Sequence, residues 1–335
     1  MIRATYELEP PDAARTLAIL ESTGVPNGPA FVQPDVVAAG DGRAVLDFPP
    51  GNWGADVTLL VSSVLAGEWA DLAVFDRCRL VGVEWPPGTF AGPAFEAPDR
   101  VLVGAIVKPS LGLRPDEVAE TVAAVARGGA DLVKDDELLG DPAWCRLEER
   151  VSAVAAVVPA GVVYTANVTG PADSLVERAR RAVDLGAGAV MVNAFAQGLD
   201  SVRLLRAAEL GVPLFVHRVG AALWVRGERL GVAAAVIAEF TRLCGADYVQ
   251  VGSFTSKVAD EPDEVRAQIE ACHRPLPGVR SATAVLGGGV GPDNAAEQIV
   301  HAGTRRGVMV LLGSAAYAHP GGIEEAVRAT VEAIR

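Results

Sequence analysis

The chain has 335 residues, with 29 Lys and Arg against 42 Asp and Glu for a net charge of −13, and half of its residues are hydrophobic. That length suits about two domains at roughly 150 residues each, or a small domain beside a large α/β barrel, and it excludes one small module and global disorder. The acidic balance argues against nucleic acid and membranes as partners, which select basic faces, yet a locally cationic pocket could still take a phosphorylated substrate.

In chain order, residues 2–8, 44–48 and 81–85 are strand-like and residues 12–21 and 55–65 are helix-like. Residues 1–96 are therefore expected to form a small α+β, ferredoxin-like domain. The segment 86–99, with Pro86, Pro87, Gly88, Gly92, Pro93 and Pro98, reads as a linker. From Val101 onward, short runs rich in Val, Ile and Leu alternate with amphipathic segments, the pattern of parallel strands buried under crossover helices. The strands are predicted at 101–108, 130–135, 162–168, 189–194, 213–219, 246–251, 282–287 and 307–312. Helices are predicted at 115–127, 142–157, 171–185, 199–209, 232–243, 262–273, 292–302 and 322–334, several with proline in the first turn. Eight such units over residues 97–335 match a (β/α)8 TIM barrel. A doubly wound sheet is the competing fold, but no GxGxxG follows the first strand.

Cys78, Cys145, Cys244 and Cys272 are scattered without a CxxC pair, which disfavours structural zinc and a disulfide framework. The first residues are charged where a secretion signal is apolar, and no long apolar run lacks charged residues. A soluble, cytoplasmic protein is expected.

A barrel gathers its chemistry at the C-terminal strand ends. Here those ends are VKPSLGL with Lys108, LVKDDE with Lys134, Asp135, Asp136 and Glu137, TANVTG with Asn167, MVNAF with Asn193, FVHRVG with His217 and Arg218, and VQVGSFTSK with Gln250 and Lys257. The seventh and eighth run into LGGGVG, with Gly288 and Gly289, and LLGSAA, with Gly313 and Ser314. Lys134 and Asp136 lie two residues apart and share a strand face, and Glu137 joins them if the chain turns. Two hard oxygen ligands suit Mg²⁺; an isolated KDDE reads more readily as an acidic strand end with a structural Lys–Asp pair, and the company of the other polar strand ends reverses that preference. Lys108 and Lys257 are candidates for proton transfer or for binding anionic oxygen. The two glycine-rich loops offer backbone N–H groups to a phosphate, and Arg218 could add a guanidinium. His217 taken alone reads equally as a core histidine. His273, His301 and His319 show no metal spacing and are left unassigned.

With these residues in place, the sequence resembles the large chain of ribulose-bisphosphate carboxylase, and more closely its non-carboxylating relatives, the RuBisCO-like proteins of form IV. GAIVKPSLGL at 104–113 is similar to the family's strand-one motif, and GGADLVKDDE at 128–137 to its metal-site motif. His217–Arg218, the run from Asp247 to Lys257, Gly287–Gly289 and Gly313–Ser314 follow in the family's order, and Glu21-Ser22-Thr23-Gly24 is similar to part of its first domain. The resemblance implies that Lys134 is carbamylated by CO₂ and ligates Mg²⁺ with Asp136 and Glu137. It further implies that Lys108 moves protons at the carbon being enolised, that His217 and Arg218 face substrate oxygen or phosphate, and that Lys257 rides on the loop after strand six. A homodimer or higher homo-oligomer is implied as well, with the small domain of one subunit over the partner's barrel mouth.

Several positions depart from the carboxylase pattern. Ser110 stands where a second lysine is expected, Gln250 where a histidine is, and Gly287 where a serine is. The segment 56–68, DVTLLVSSVLAGE, lacks the first domain's asparagine motif, and the sequence stops at Arg335 without further helices. The expected activity is therefore Mg²⁺-dependent enolisation of a phosphorylated keto-sugar or keto-acid, by an isomerase, tautomerase or decarboxylase (lyase), rather than carboxylation. The alternatives are the 2,3-diketo-5-methylthiopentyl-1-phosphate enolase of methionine salvage and a catalytically retired binding protein.

Overall fold

The computed structural model describes residues 1–255, 257 and 260–335. Strand β1 (Ile2–Glu9) alternates strictly, with Ile2, Ala4, Tyr6 and Leu8 buried and the residues between them half-exposed, as one covered sheet face requires. It pairs antiparallel with β3 (Arg43–Phe48) and β4 (Arg77–Glu84), and β3 pairs with β2 (Asp35–Gly40). The order β4-β1-β3-β2, with helices at Ala14–Leu20 and Val57–Leu60, is the ferredoxin-like arrangement predicted for the first part of the chain. Strand β2 was not predicted because all six of its residues are exposed, leaving no alternation to read.

The second part is a closed, all-parallel barrel. Its strands are β5 (Val101–Ile106), β6 (Leu132–Lys134), β7 (Val163–Asn167), β8 (Ala189–Asn193) and β9 (Leu214–His217). After a short strand β10 (Leu230–Val232) that leaves the barrel come β11 (Tyr248–Val251), β12 (Thr283–Gly287) and β13 (Val308–Leu312). The eight barrel strands are the eight predicted, and β13 closes the ring on β5 through the pair Val308 and Val101. Inward-facing Leu102, Ile106, Leu132, Met191, Phe215, Val285, Met309 and Leu311 form a cluster of their own, so the barrel is filled rather than hollow. The helices Pro115–Arg127, Pro262–His273 and Gly322–Ile334 have the predicted bounds. The helix predicted from 142 starts later, at Leu147, because the Asp141 carboxylate accepts the Leu147 N–H at 2.7 Å and fixes the helix start there.

The two parts share structure. Strand β10 pairs in parallel with β4, adding a fifth strand to the small sheet. Three residues are too few to show periodicity, and β10 was not predicted. The 86–99 segment is pinned: Phe90 packs edge-on to Phe240 and Trp85 stacks on Phe240 at 5.2 Å between centroids. Asp247 accepts the Ala94 and Phe95 N–H groups at 2.9 Å and that of Leu214 at 2.8 Å. All four cysteines are buried and unbridged. Among the described residues, no helix is long and apolar enough to cross a membrane.

Candidate active site at the barrel mouth

Strand β6 divides its charged end between two environments, as strand alternation dictates. Asp135 turns into the wall, where it accepts from Arg150 Nε at 3.1 Å, Tyr164 OH at 2.6 Å and the Asn167 N–H at 3.0 Å. Arg150 and Asp135 are both fully buried, and Arg150 also donates to the Cys145 and Gly140 carbonyls. Lys134 and Asp136 face the mouth. Lys134 Nζ, wholly buried, donates to the Asp135 carbonyl at 2.8 Å and lies 3.8 Å from Glu137 Oε2. Burial pushes its pKa down to about 8, and the neighbouring Glu137, Asp136 and Asp135 only partly offset that.

The chain turns after Asp136, whose Oδ1 accepts the Leu138 N–H at 3.0 Å, and so brings Glu137 beside Lys134. Asn167 and Asn193 hold the turn by donating to the Glu137 carbonyl at 3.1 and 2.8 Å. Glu137 Oε2 is buried without a hydrogen-bond partner, and so is Asn193 Oδ1. From β5, Lys108 Nζ reaches Asp136 Oδ2 at 2.5 Å and Ser110 Oγ at 3.0 Å. Tyr317 braces that strand end by donating to the Ile106 carbonyl at 2.8 Å and accepting the Lys108 N–H.

At the end of β9, His217 is buried and its pKa lies well below the usual value, first through burial and then through Lys134, Arg218 and Lys108. Its Nδ1 accepts the Val219 N–H at 3.1 Å, so the proton of the neutral ring sits on Nε2, 3.5 Å from Glu137 Oε2. The structure thus brings Lys108, Lys134, Asp136, Glu137 and His217 into one cluster. Among the described residues, no group of three or more His, Cys, Asp and Glu side chains is gathered for a metal. The cluster's oxygen donors are the Asp136 and Glu137 carboxylates, one with an unpartnered buried atom, beside a desolvated amine. This donor set fits a hard cation only if the Lys134 side chain also presents oxygen.

The remaining predicted residues lie at or after the ends of β9, β11, β12 and β13. Arg218 does not open to the mouth as a free cation: its guanidinium grips Asp260 with both terminal nitrogens. Asp260 was missed in the sequence, since it follows 42 residues later with no local pattern linking the two. Lys257 is exposed in a turn, its Cβ 3.0 Å from where a side chain on Gly289 would begin. Gly288 and Gly289 take positive φ of 109° and 75°, and the Gly288 carbonyl accepts the Ser253 and Thr255 hydroxyls at 2.5 and 2.7 Å. Those two bonds join the loop after β11 to the loop after β12. Gly313 precedes the short helix Ser314–Tyr317, which starts at Ser314 and ends at the Tyr317 that touches the Lys108 backbone.

The sequence profile of the ribulose bisphosphate carboxylase large chain, catalytic domain, matches residues 91–335. The chain belongs to the RuBisCO large-chain family. Within that family it is 33% identical over 265 residues to a ribulose bisphosphate carboxylase-like protein of Allochromatium vinosum, covering 73% of this chain and 58% of that one. It is 33% identical over 295 residues to a 3-oxo-isoapionate-4-phosphate transcarboxylase/hydrolase of Xanthobacter autotrophicus, covering 81% of this chain and 70% of that one. The octameric ribulose-1,5-bisphosphate carboxylase/oxygenase of Pyrococcus horikoshii superposes with a TM-score of 0.91 at 26% identity, over 99% of this chain and 87% of that one. This RuBisCO-family chain spans about three fifths of the length of the carboxylase-like relatives it matches.

Proposed function

We propose that this RuBisCO-like protein is a Mg²⁺-dependent enzyme that enolises a phosphorylated keto-sugar or keto-acid and completes an isomerisation, tautomerisation or decarboxylation, without fixing CO₂ on ribulose bisphosphate. The observation that carries the reading is the buried cluster of Lys134, Asp136 and Glu137 with Lys108 at its edge, in which Glu137 Oε2 has no partner. Asp136, Glu137 and a carbamate formed from CO₂ on Lys134 would hold the ion. Lys134 is suited to carbamylation because burial lowers its pKa to about 8, so the neutral, nucleophilic amine is accessible near physiological pH. When bound, Mg²⁺ supplies Lewis-acid polarisation of a carbonyl and stabilises the enediolate.

The protein's own groups do the rest. Lys108 moves the proton at the carbon being enolised, since its amine sits at the mouth and is held by Asp136 and Ser110. Neutral His217 offers Nε2–H to a substrate oxygen. Lys257, the backbone of Gly288 and Gly289, and Gly313 with Ser314 take the phosphate. Ser110 is neutral where carboxylation would call for a second lysine, and Gln250 and Gly287 likewise remove polar or ionisable groups the resemblance would supply. The kinship with a protein named for 3-oxo-isoapionate-4-phosphate supports a phosphorylated keto-acid as the substrate class. We also propose a homodimer or larger homo-oligomer as the working unit, which sizing in solution would check, a monomer being the contrary result.

The test is exchange in D₂O. Candidate sugar phosphates and keto-acid phosphates are incubated with the protein, Mg²⁺ and bicarbonate. Mg²⁺-dependent loss of an α-proton or release of CO₂ is expected, and neither occurring with any of them would overturn the reading.

A further inference from the structure

Asn167 and Asn193 end the neighbouring strands β7 and β8, and each donates its side-chain amide to the Glu137 carbonyl, yet only one of them is fully used. Asn167 Oδ1 accepts the Thr169 N–H at 3.1 Å, which completes that side chain. Asn193 gives its backbone N–H to Thr169 Oγ1 at 2.9 Å and its Nδ2 to Glu137. Its Oδ1 is buried with no hydrogen-bond partner, in a residue only 8% exposed. The orientation of that amide is forced: turned over, it would set Oδ1 against the Glu137 carbonyl, two acceptors face to face.

The neighbouring ammonium groups are directed elsewhere. Lys134 Nζ donates to the Asp135 carbonyl, and Lys108 Nζ reaches Asp136 and Ser110. The register partner of Asn193 on β9 is His217, whose Nε2–H lies 3.5 Å from Glu137 Oε2. Adjacent strand ends thus present one donor, on His217, and one unused acceptor, on Asn193. An ionised carboxylate or phosphate has no hydrogen to give that acceptor, whereas a hydroxyl can accept from the histidine and donate to the amide. A buried acceptor left unmet is costly, so a ligand group that meets it is selected over one that does not.

From this we infer that Asn193 is a specificity-determining residue whose Oδ1 accepts a hydrogen bond from an un-ionised hydroxyl of the substrate. The ligand class is a phosphorylated ketose or keto-acid with a free hydroxyl, not a carboxylate, at this point of the mouth. This deepens the proposed function and rests on it for the reaction.

The test is calorimetric titration of the full chain, in Mg²⁺ and bicarbonate, with a pentulose 5-phosphate and its 1-, 3- and 4-deoxy analogues. The parent is expected to be preferred over one analogue by about tenfold or more, and Asn193→Ala and Asn193→Leu should each cut that preference about tenfold. Asn167→Ala loses the same clamp on the Glu137 carbonyl but no unused acceptor, and should leave the preference unchanged. Parent and analogues agreeing within about threefold in the wild type would overturn the inference, and so would a preference that survives in both Asn193 variants or falls equally in Asn167→Ala. If neither Asn193 variant folds, the wild-type comparison alone decides. A water on the ion can meet the same oxygen. About tenfold weaker Mg²⁺ binding without sugar in Asn193→Ala but not in Asn167→Ala, with the hydroxyl preference intact, would assign the acceptor to that water and overturn the substrate contact. Failure of the parent ketose phosphate to bind would overturn the inference alone where α-proton exchange with another candidate is intact, and the enolisation reading with it where exchange fails throughout.

Discussion

The two faces of the β6 end differ in one respect that matters. Behind the strand, Asp135 is saturated by Arg150, Tyr164 and the Asn167 N–H. In front of it, Glu137 keeps a buried oxygen with no hydrogen bond, 3.5 Å from His217 and 3.8 Å from Lys134. A buried polar atom left unpaired costs on the order of 1–3 kcal/mol. The fold thus satisfies one carboxylate fully and leaves an oxygen of another unpartnered two residues away, and it is the second that the proposed ion would use. Strand alternation sets the two faces, and the partners on each face tell the paired acid from the open one.

The strongest way to break this comparison is at Lys134. Lys134→Ala should lower Mg²⁺-dependent α-proton exchange by about 10³-fold or more, the scale on which catalytic groups acting as a unit are lost, while the circular dichroism stays native. A variant that keeps its exchange would remove Lys134 from the site. The next effect belongs to the wall: Asp135→Asn strands the buried Arg150 cation and should cost about 3–5 kcal/mol in urea unfolding. If that substitution left stability intact and removed only activity, the division between the two faces would be wrong.

Glu21, in the small domain, is an intermediate case that sharpens the contrast. It is buried with one backbone donor, the Trp69 N–H at 2.9 Å, and burial raises its pKa from 4.5 to about 7. Between those values the native state keeps a proton that the unfolded state has lost. Its stabilising contribution is therefore full below pH 4.5 and disappears as pH rises through 7, by about 3 kcal/mol at most. Glu21→Gln should flatten that part of the stability profile, and an unchanged slope in denaturation from pH 4.5 to 7 would contradict it. The smallest effect is expected at Ser110, whose hydroxyl accepts one bond from Lys108. Ser110→Ala should cost exchange roughly ten- to a hundredfold, the worth of a single hydrogen bond to a charged group, and a loss near that of Lys134→Ala would make Ser110 part of the proton path.

All eight barrel strands were legible because doubly buried parallel strands are continuous Val, Ile and Leu runs. Strands β2 and β10 were not, the first exposed along its whole length and the second three residues long. At the site, two-residue alternation put Lys134 and Asp136 on one face, and the turn that brings in Glu137 followed from its position at the strand end. The partners that assign roles were hidden, since they depend on where separate elements pack. Arg150 arrives from the following helix to neutralise Asp135, and Asp260 arrives from beyond Lys257 to occupy Arg218. Sequence spacing therefore pointed to the charged groups but not to which of them are already paired.

The proposed chemistry stands or falls on the Lys134 amine. Incubating the full chain with ¹³C-bicarbonate and Mg²⁺ and recording the carbamate carbon by NMR tests it directly. One carbamate per chain is predicted, forming more readily as pH rises through about 8, where the buried lysine loses its proton, and absent in Lys134→Ala. No carbamate signal with Mg²⁺ at pH 8–9, or an undiminished one in Lys134→Ala, would contradict it.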